Sequence, residues 1–306
     1  MAQKGGQPQI SLTNRNLEKD ERDKRYHGFM QLALNIVILT FVFVFGAVIA
    51  SFLNVLIYRI PLKLDFMRGF SFCPSCRHRL GPLDLVPIVS YLALGRACRY
   101  CHEPISPRYL VIELAGGLLA LACWLAFIGP DLLATETPFL LANPRFLGAF
   151  APIGAAVLYF FVLSLLLVIS CIDADTMEIP DGLNIALALC GLLSILVGPE
   201  LVWHSRLIGL FIISVPLFVI ALIIPGAFGG GDVKLMAAAG ILLGWQATLL
   251  ACFIGIILGG AWGIFLLATH RKEAKGHFAF GPALCTGIAV ALFFAPQIIQ
   301  WYLGFF

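Results

Sequence analysis

The chain carries eight long apolar runs, and no other feature restricts its fold so strongly. With a window of about 20 residues, the length a helix needs to cross the hydrocarbon of a bilayer, they fall near 29–58, 109–129, 147–172, 183–199, 205–225, 233–244, 247–269 and 280–303. Hydrophobic residues make up 60% of the 306 and charged residues 12%, more apolar surface than a soluble domain of this size could cover. The expected fold is an all-α polytopic membrane protein with about eight transmembrane helices. The fourth and sixth runs are short, and only Gly244-Trp245-Gln246 separates the sixth from the seventh. Seven spans with one re-entrant segment is therefore a second reading.

Between the first two runs lies the one long polar insert, 59–108, rich in Pro, Cys and Arg and without a sustained helical or strand period. The domain reading is a polar, disordered tail over 1–28, a first transmembrane helix over 29–58, a small extramembrane domain over 59–108, and a transmembrane bundle over 109–306. The first run is too long for the core of a signal peptide and is expected to stay as an anchor. The insert holds eight Lys/Arg and the loop 270–279 holds Arg271, Lys272 and Lys275, so the positive-inside rule puts both loops in the cytoplasm. Six Lys/Arg in the N-terminal tail run against that assignment. A net charge of +3 reports topology and gives no case for a nucleic-acid partner.

Cysteines divide into two kinds. Cys123, Cys171, Cys190, Cys252 and Cys285 occur singly in or beside apolar runs, where a thiol behaves as a small hydrophobe. Cys73-Pro74-Ser75-Cys76 and Cys98-Arg99-Tyr100-Cys101 form two matched pairs with 21 residues between them. That is close to the spacing of two knuckles on one tetrahedral zinc. An insert of about 50 residues cannot build a sufficient apolar core, and a structural metal would fix its fold. Two disulfides or four idle thiols are the alternatives; zinc presumes the reducing, cytoplasmic side.

Charge at a bilayer edge calls for a reason, because an ionised side chain there costs at least a few kcal/mol. Asp173 directly follows an apolar run, and four carboxylates fall within the nine positions from Asp173 to Asp181. Asp232 closes Gly229-Gly230-Gly231-Asp232. Taken alone, the first stretch is a solvated turn and Asp232 is an N-cap. Together, one pair of spans apart and so at the same membrane face, they suggest peptide hydrolysis. One ionised aspartate takes a proton from water while its protonated neighbour donates to the scissile carbonyl, and the pair titrates as a unit. Glycines ahead of Asp232 admit an extended substrate or a partner helix.

From about residue 43 to the last span, the chain resembles the bacterial type IV prepilin peptidases, bifunctional leader peptidases and N-methyltransferases of the GxGD aspartic protease group. The matching pieces are 46–61 leaving the first span, both cysteine pairs, and Ile105-Ser106-Pro107-Arg108-Tyr109 leading to Glu113. Further on come Asp173 with Ile179-Pro180-Asp181, Gly229-Gly230-Gly231-Asp232-Val233-Lys234, and Phe280-Gly281-Pro282. The resemblance implies that Asp173 and Asp232 are catalytic and that Cys73, Cys76, Cys98 and Cys101 hold a structural zinc. It further implies cleavage of a short basic leader after a glycine in prepilins or type II secretion pseudopilins, at the cytoplasmic face of the bacterial inner membrane. The new N-terminus is then methylated from S-adenosylmethionine. No residue is assigned to that methyl donor. Glu178 departs from the family pattern by adding a charge just before Ile179-Pro180.

Other polar residues in the bundle keep two readings. Glu113 is a methyl-transfer residue by family analogy or the partner of Arg108 or another loop arginine. Lys234 tunes the acid pair or reaches to the interface. Asp175 and Asp181 support Asp173, or Asp181 caps the fourth span. His204 and His277 are expected to be solvated, and Asn54 to hydrogen-bond another helix. The competing function is a polytopic transporter whose carboxylates mark a cation or proton pathway. Transport carboxylates belong near the midplane, whereas a peptidase needs both at one interface, on the side of the four cysteines.

Overall fold

The structure is a computed structural model that describes residues 9–65, 69–129, 151–197, 201–224, 228–269 and 279–305, without the side chains of 9–21, Ala151 and Leu267. Arg271, Lys272, Lys275 and His277 lie outside the described residues. Helices run over Gln9–Arg59 (α1), Val89–Ala93 (α2), Pro107–Phe127 (α3), Ala151–Thr176 (α4), Asp181–Val197 (α5), Trp203–Ile212 (α6), Ser214–Ile223 (α7), Gly230–Ala268 (α8) and Gly281–Leu303 (α9). Among the described residues, six segments are long and apolar enough to cross a membrane: Arg22–Arg59, Pro107–Phe127, Pro152–Thr176, Trp203–Ile223, Gly230–Leu266 and Gly281–Leu303. α5 is a shorter apolar helix.

Six long helices and a short one correspond to the eight runs, because α8 is two of them joined. As a straight rod its 39 residues would be about 58 Å long, nearly twice the hydrocarbon thickness. It folds at Gly244, where φ is +74° and ψ is 173°. The Phe280 ring meets Phe228, just before α8, and also lies where a Cβ on Gly259 would sit. A straight helix would put residues 228 and 259 about 46 Å apart, so the chain reverses at Gly244. Only glycine takes that dihedral without strain, and a Cβ there would stand 2.6 Å from Ser205 Oγ. The run 205–225 is likewise interrupted, splitting into α6 and α7 at Ile213 ahead of Pro216.

α1 extends back to Gln9, through the polar stretch for which the sequence suggested disorder. Once a span is helical, each further residue adds a hydrogen bond without a new nucleus, and Glu18, Lys19, Arg22, Lys24 and Arg25 are good helix formers. The α1–α3 seam follows the small-xxx-small pattern of helices that meet backbone to backbone in lipid. Gly46 and Ala50 face Gly116 and Ala120, and a Cβ on Gly46 would be 2.5 Å from the Gly116 carbonyl. Asn54 on α1 is buried, but its Nδ2 makes no hydrogen bond, contrary to the expected interhelical role. The core is Val162, Ile169, Ile172, Leu187, Leu235, Met236, Leu284 and Ile288, from α4, α5, α8 and α9. Among the described residues, the insert between α1 and α3 carries only one turn of 3-10 helix, the short α2 and two isolated β-bridges.

Candidate active site and four-cysteine cluster

Asp173 lies three residues before the end of α4 at Thr176, and Asp232 is the third residue of α8. Both are buried, at 5% and 8% exposure, and their charges are close enough to interact. α9 completes the grouping. The Gly281 amide donates to Asp173 Oδ2 at 2.9 Å, and a Cβ on Gly281 would fall 2.5 Å from that oxygen, so only glycine fits. The Gly229 amide donates to Asp232 Oδ2 at 3.2 Å, which makes Asp232 the closing group of its own turn as well as a buried acid. Gly231 abuts Ile179, where a Cβ would be 2.9 Å from the Ile179 Cβ. The Gly-Gly-Gly-Asp and Ile-Pro-Asp stretches therefore seat on each other, and the glycine there admits a neighbouring segment of this chain. Cys285, one turn into α9, lies within electrostatic reach of both aspartates.

The surrounding charges find partners the sequence did not assign. Arg108 pairs with Asp175 (2.5 Å) and not with Glu113. Glu113 is buried and accepts from the Ile88 amide at 2.7 Å, tying α3 to the insert. Lys234 pairs with Asp181 at 2.7 Å, both exposed, so neither touches the aspartate pair. Glu178 and His204 are exposed.

The insert is built on one turn used twice. In each cysteine pair the amide of the first cysteine donates across the turn: Cys73 N to the His78 carbonyl and Cys98 N to the Glu103 carbonyl. Arg77 N donates to the Cys73 carbonyl and His102 N to the Cys98 carbonyl. Arg77 and His102, each one residue past its second cysteine, both adopt left-handed backbone with φ of 59° and 58°. Bridges Phe72–Arg79 and Ala97–Pro104 close the two loops. The His78 and Tyr100 rings lie 3.6 Å apart between them. Asp84 joins the halves, receiving the Gly81 amide at 3.0 Å and the Arg99 Nε at 2.7 Å. Although burial alone raises its carboxyl, these donors hold it below the ordinary value.

All four cysteines are free thiols, which removes the two-disulfide reading. Their sulfurs lie within 4.8 Å of one another, and Cys73 and Cys101 are 3.9 Å apart. Four ligands at a Zn–S distance of 2.3 Å would sit about 3.8 Å apart at tetrahedral angles, so the cluster could bind a metal. The thiols act on one another's acidity. The Cys76 amide, with further donors including the Cys98 and Cys76 side chains, brings Cys73 down to about 7. Cys101 is lowered by the Glu103 amide but raised by desolvation and by the other three thiols, ending at about 12. The insert and the aspartates share one end of the molecule, since Arg108 follows the second cysteine pair by seven residues and reaches Asp175.

Sequence reasoning passed over Arg206. It is 5% exposed, and its guanidinium donates to the carbonyls of Gly191 and Ile241 (both 2.9 Å) and to Ser194 Oγ (2.7 Å), tying α5, α6 and the first arm of α8. The available signal was an arginine inside an apolar run.

Two family profiles match the chain: the Bacterial Peptidase A24 N-terminal domain over residues 44–127, and the Type IV leader peptidase family over residues 160–264. Among curated proteins, the chain is similar to the prepilin leader peptidase/N-methyltransferase of Burkholderia pseudomallei strain 1026b. The two are 32% identical over 84% of this chain and 85% of the relative. The protein of that name from Bacillus subtilis is 31% identical over 87% of this chain and 98% of its own, and that of Neisseria gonorrhoeae 30% over 79% and 85%. No solved structure matches.

Proposed function

Because the chain belongs to the type IV leader peptidase family, we propose that it cleaves the basic leader from type IV prepilins or type II secretion pseudopilins after a glycine and then methylates the new N-terminus. Asp173 and Asp232 act as the catalytic pair. The observation that carries this reading is the convergence of two buried carboxylates from α4 and α8 at one end of the bundle, where Gly231 beside Asp232 packs on Ile179 from the turn that follows Asp173. A cation pathway would put them mid-span; these lie within four residues of their helix ends.

In the first step the ionised aspartate removes a proton from water, whose oxygen bonds to the scissile carbonyl carbon while the protonated aspartate donates to the carbonyl oxygen. As the tetrahedral intermediate collapses, the carbon–nitrogen bond breaks. The leaving nitrogen takes the proton just removed from water, and the second aspartate recovers its own. The pair ends in its starting state with one shared proton. The Gly281 amide holds Asp173 and the Gly229 amide holds Asp232 through this cycle. The released α-amine, once neutral, accepts a methyl group from S-adenosylmethionine and loses a proton.

Cys73, Cys76, Cys98 and Cys101 hold a structural zinc ion, supported by four convergent thiols in a segment with almost no core. The positive charge of 59–108 supports a cytoplasmic location for this domain and for the aspartates, in the bacterial inner membrane. Mass spectrometry of a prepilin incubated with the protein, with and without S-adenosylmethionine, tests both reactions at once. The expected products are the leader-free form without the donor and, with it, the same form heavier by one CH2, since a methyl group replaces one hydrogen on the amine. An uncut prepilin in both samples would sink the peptidase assignment.

A further inference from the structure

Arg108 occupies the first turn of α3, a poor place for a cation, since the N-terminal end of a helix is already positive. Ser106 caps that turn, accepting from the Arg108 amide at 3.3 Å, so the backbone of Arg108 is fixed to the base of the insert. The side chain serves another helix. Its Nη1 donates to Asp175 Oδ2 at 2.5 Å and its Nη2 to the Cys171 carbonyl at 3.2 Å. These two residues flank Asp173 by two positions on either side.

The end of α4 needs such a hold. It is closed by Met177, at φ +56°, whose amide donates to the Asp173 carbonyl at 2.8 Å. That left-handed position is usually filled by glycine, and a side chain there carries strain. A helix end strained four residues past Asp173 would fray readily, and fraying would move the carboxyl away from the Gly281 amide. Arg108 grips a carbonyl and a carboxylate one on each side of the residue that must not move.

We propose that Arg108 is a positioning residue for the aspartate centre, clamping the last turn of α4 to the base of the four-cysteine domain. The proposal rests on the peptidase reading above. It acts on turnover and not on substrate affinity, because neither Arg108 contact is to a group that binds substrate in that reading. Arg108→Met should lower kcat for leader cleavage ~10-fold with KM within ~2-fold, as expected for a catalytic group displaced by a fraction of an ångström. Methylation of a substrate supplied without its leader should be unchanged. Arg108→Lys keeps the charge but cannot hold both acceptors with a fixed fork, so its kcat should fall ~3-fold. Asp175→Asn still offers an acceptor oxygen and should lose less than ~3-fold.

Wild-type kcat in Arg108→Met, or a change confined to KM, overturns the proposal. If Arg108→Met fails to insert in the membrane, Arg108→Lys decides: a kcat loss supports the clamp and a wild-type kcat refutes it. Asp173→Asn is assayed alongside. Cleavage surviving in that variant would overturn the peptidase assignment, whereas an inactive Asp173→Asn beside a fully active Arg108→Met removes only the clamp.

Discussion

The aspartate end of the bundle and the four-cysteine domain are neighbours joined by Arg108 and Glu113, yet they are held together in opposite ways. Around the aspartates, Ile169, Ile172, Leu235, Met236, Leu284 and Ile288 are fully buried, and helices meet at glycine, with no space for one more carbon beside Asp173. Between residues 69 and 106 only Cys73, Tyr91 and Cys98 are buried among hydrophobic residues, while Phe70, Leu83, Val89 and Leu92 are exposed. Four non-glycine residues there, Arg77, Ile88, Arg96 and His102, sit in left-handed backbone. A packed bundle places a carboxyl by the sum of many contacts. A coreless loop carrying local strain depends on a few polar contacts and on whatever its sulfurs bind. Chemistry that needs fixed geometry belongs to the first region, and loss of a single staple should be felt most broadly in the second.

The largest effect expected is at the acid pair. Asp173→Asn or Asp232→Asn keeps the shape but removes the shared proton, so each alone should reduce leader cleavage at least ~10³-fold, nearly as far as the double variant. Gel or mass assays of a prepilin measure this directly. Additive losses would mean that the two acids do not work as one unit. Asp232→Asn should still methylate a substrate whose leader is already gone.

Next comes the coreless region. Cys73→Ser with Cys76→Ser should abolish metal retention and make residues 69–106 sensitive to proteolysis, since a structural metal carries most of the folding free energy of such a domain. Metal analysis and limited digestion read this out. Methylation should fall further than cleavage, because the bundle has its own core. Equal loss of both, with the protein inserted and the bundle protected, would show that the domain also shapes the peptidase centre, erasing the contrast between the regions.

Much of this arrangement was legible before the structure. The paired cysteines at matched spacing and the two acids one span-pair apart are local patterns whose chemistry dictates their spacing. The fold-back in α8 was legible only as a choice, because Gly244-Trp245-Gln246 is too short a break to tell a turn from a kink, and the left-handed φ of Gly244 decides it. Partners at a distance were not legible. Arg108 was counted as loop charge and Glu113 was offered to it, but the facing residue depends on how α3 docks on α4, and Asp175 wins. Arg206 vanished into an apolar run because its acceptors are backbone carbonyls, which carry no side-chain signature.

A smaller perturbation probes how tightly the bundle is set. Gly281→Ala adds one methyl group at the start of α9, with its carbon 2.5 Å from Asp173 Oδ2. Something must shift by about an ångström, and the 2.9 Å bond from the Gly281 amide lengthens with it. Displacements of that size cost up to ~10²-fold in rate, so cleavage should drop between ~10- and ~100-fold while methylation of a leader-free substrate is preserved. Unchanged cleavage would mean that the aspartate end is as compliant as the insert.

The smallest effect should come from Glu178, although the sequence made it suspect. It is the third of the four carboxylates from Asp173 to Asp181, five residues past Asp173, and adds a charge just before Ile179-Pro180. In the structure Glu178 lies past the left-handed turn at Met177, exposed, with its backbone held by Thr176: its amide donates to Thr176 Oγ1 and its carbonyl accepts from the same hydroxyl. An exposed charge in water-like dielectric interacts with a group several ångströms away by ~1 kcal/mol or less, and salt screens most of that. Glu178→Gln should therefore leave cleavage within ~2-fold of wild type at 0.15 M salt. Any difference should shrink further as salt is raised. A larger loss that salt does not diminish would mean that Glu178 touches the substrate's basic leader, and the aqueous rim of the bundle would then take part in recognition.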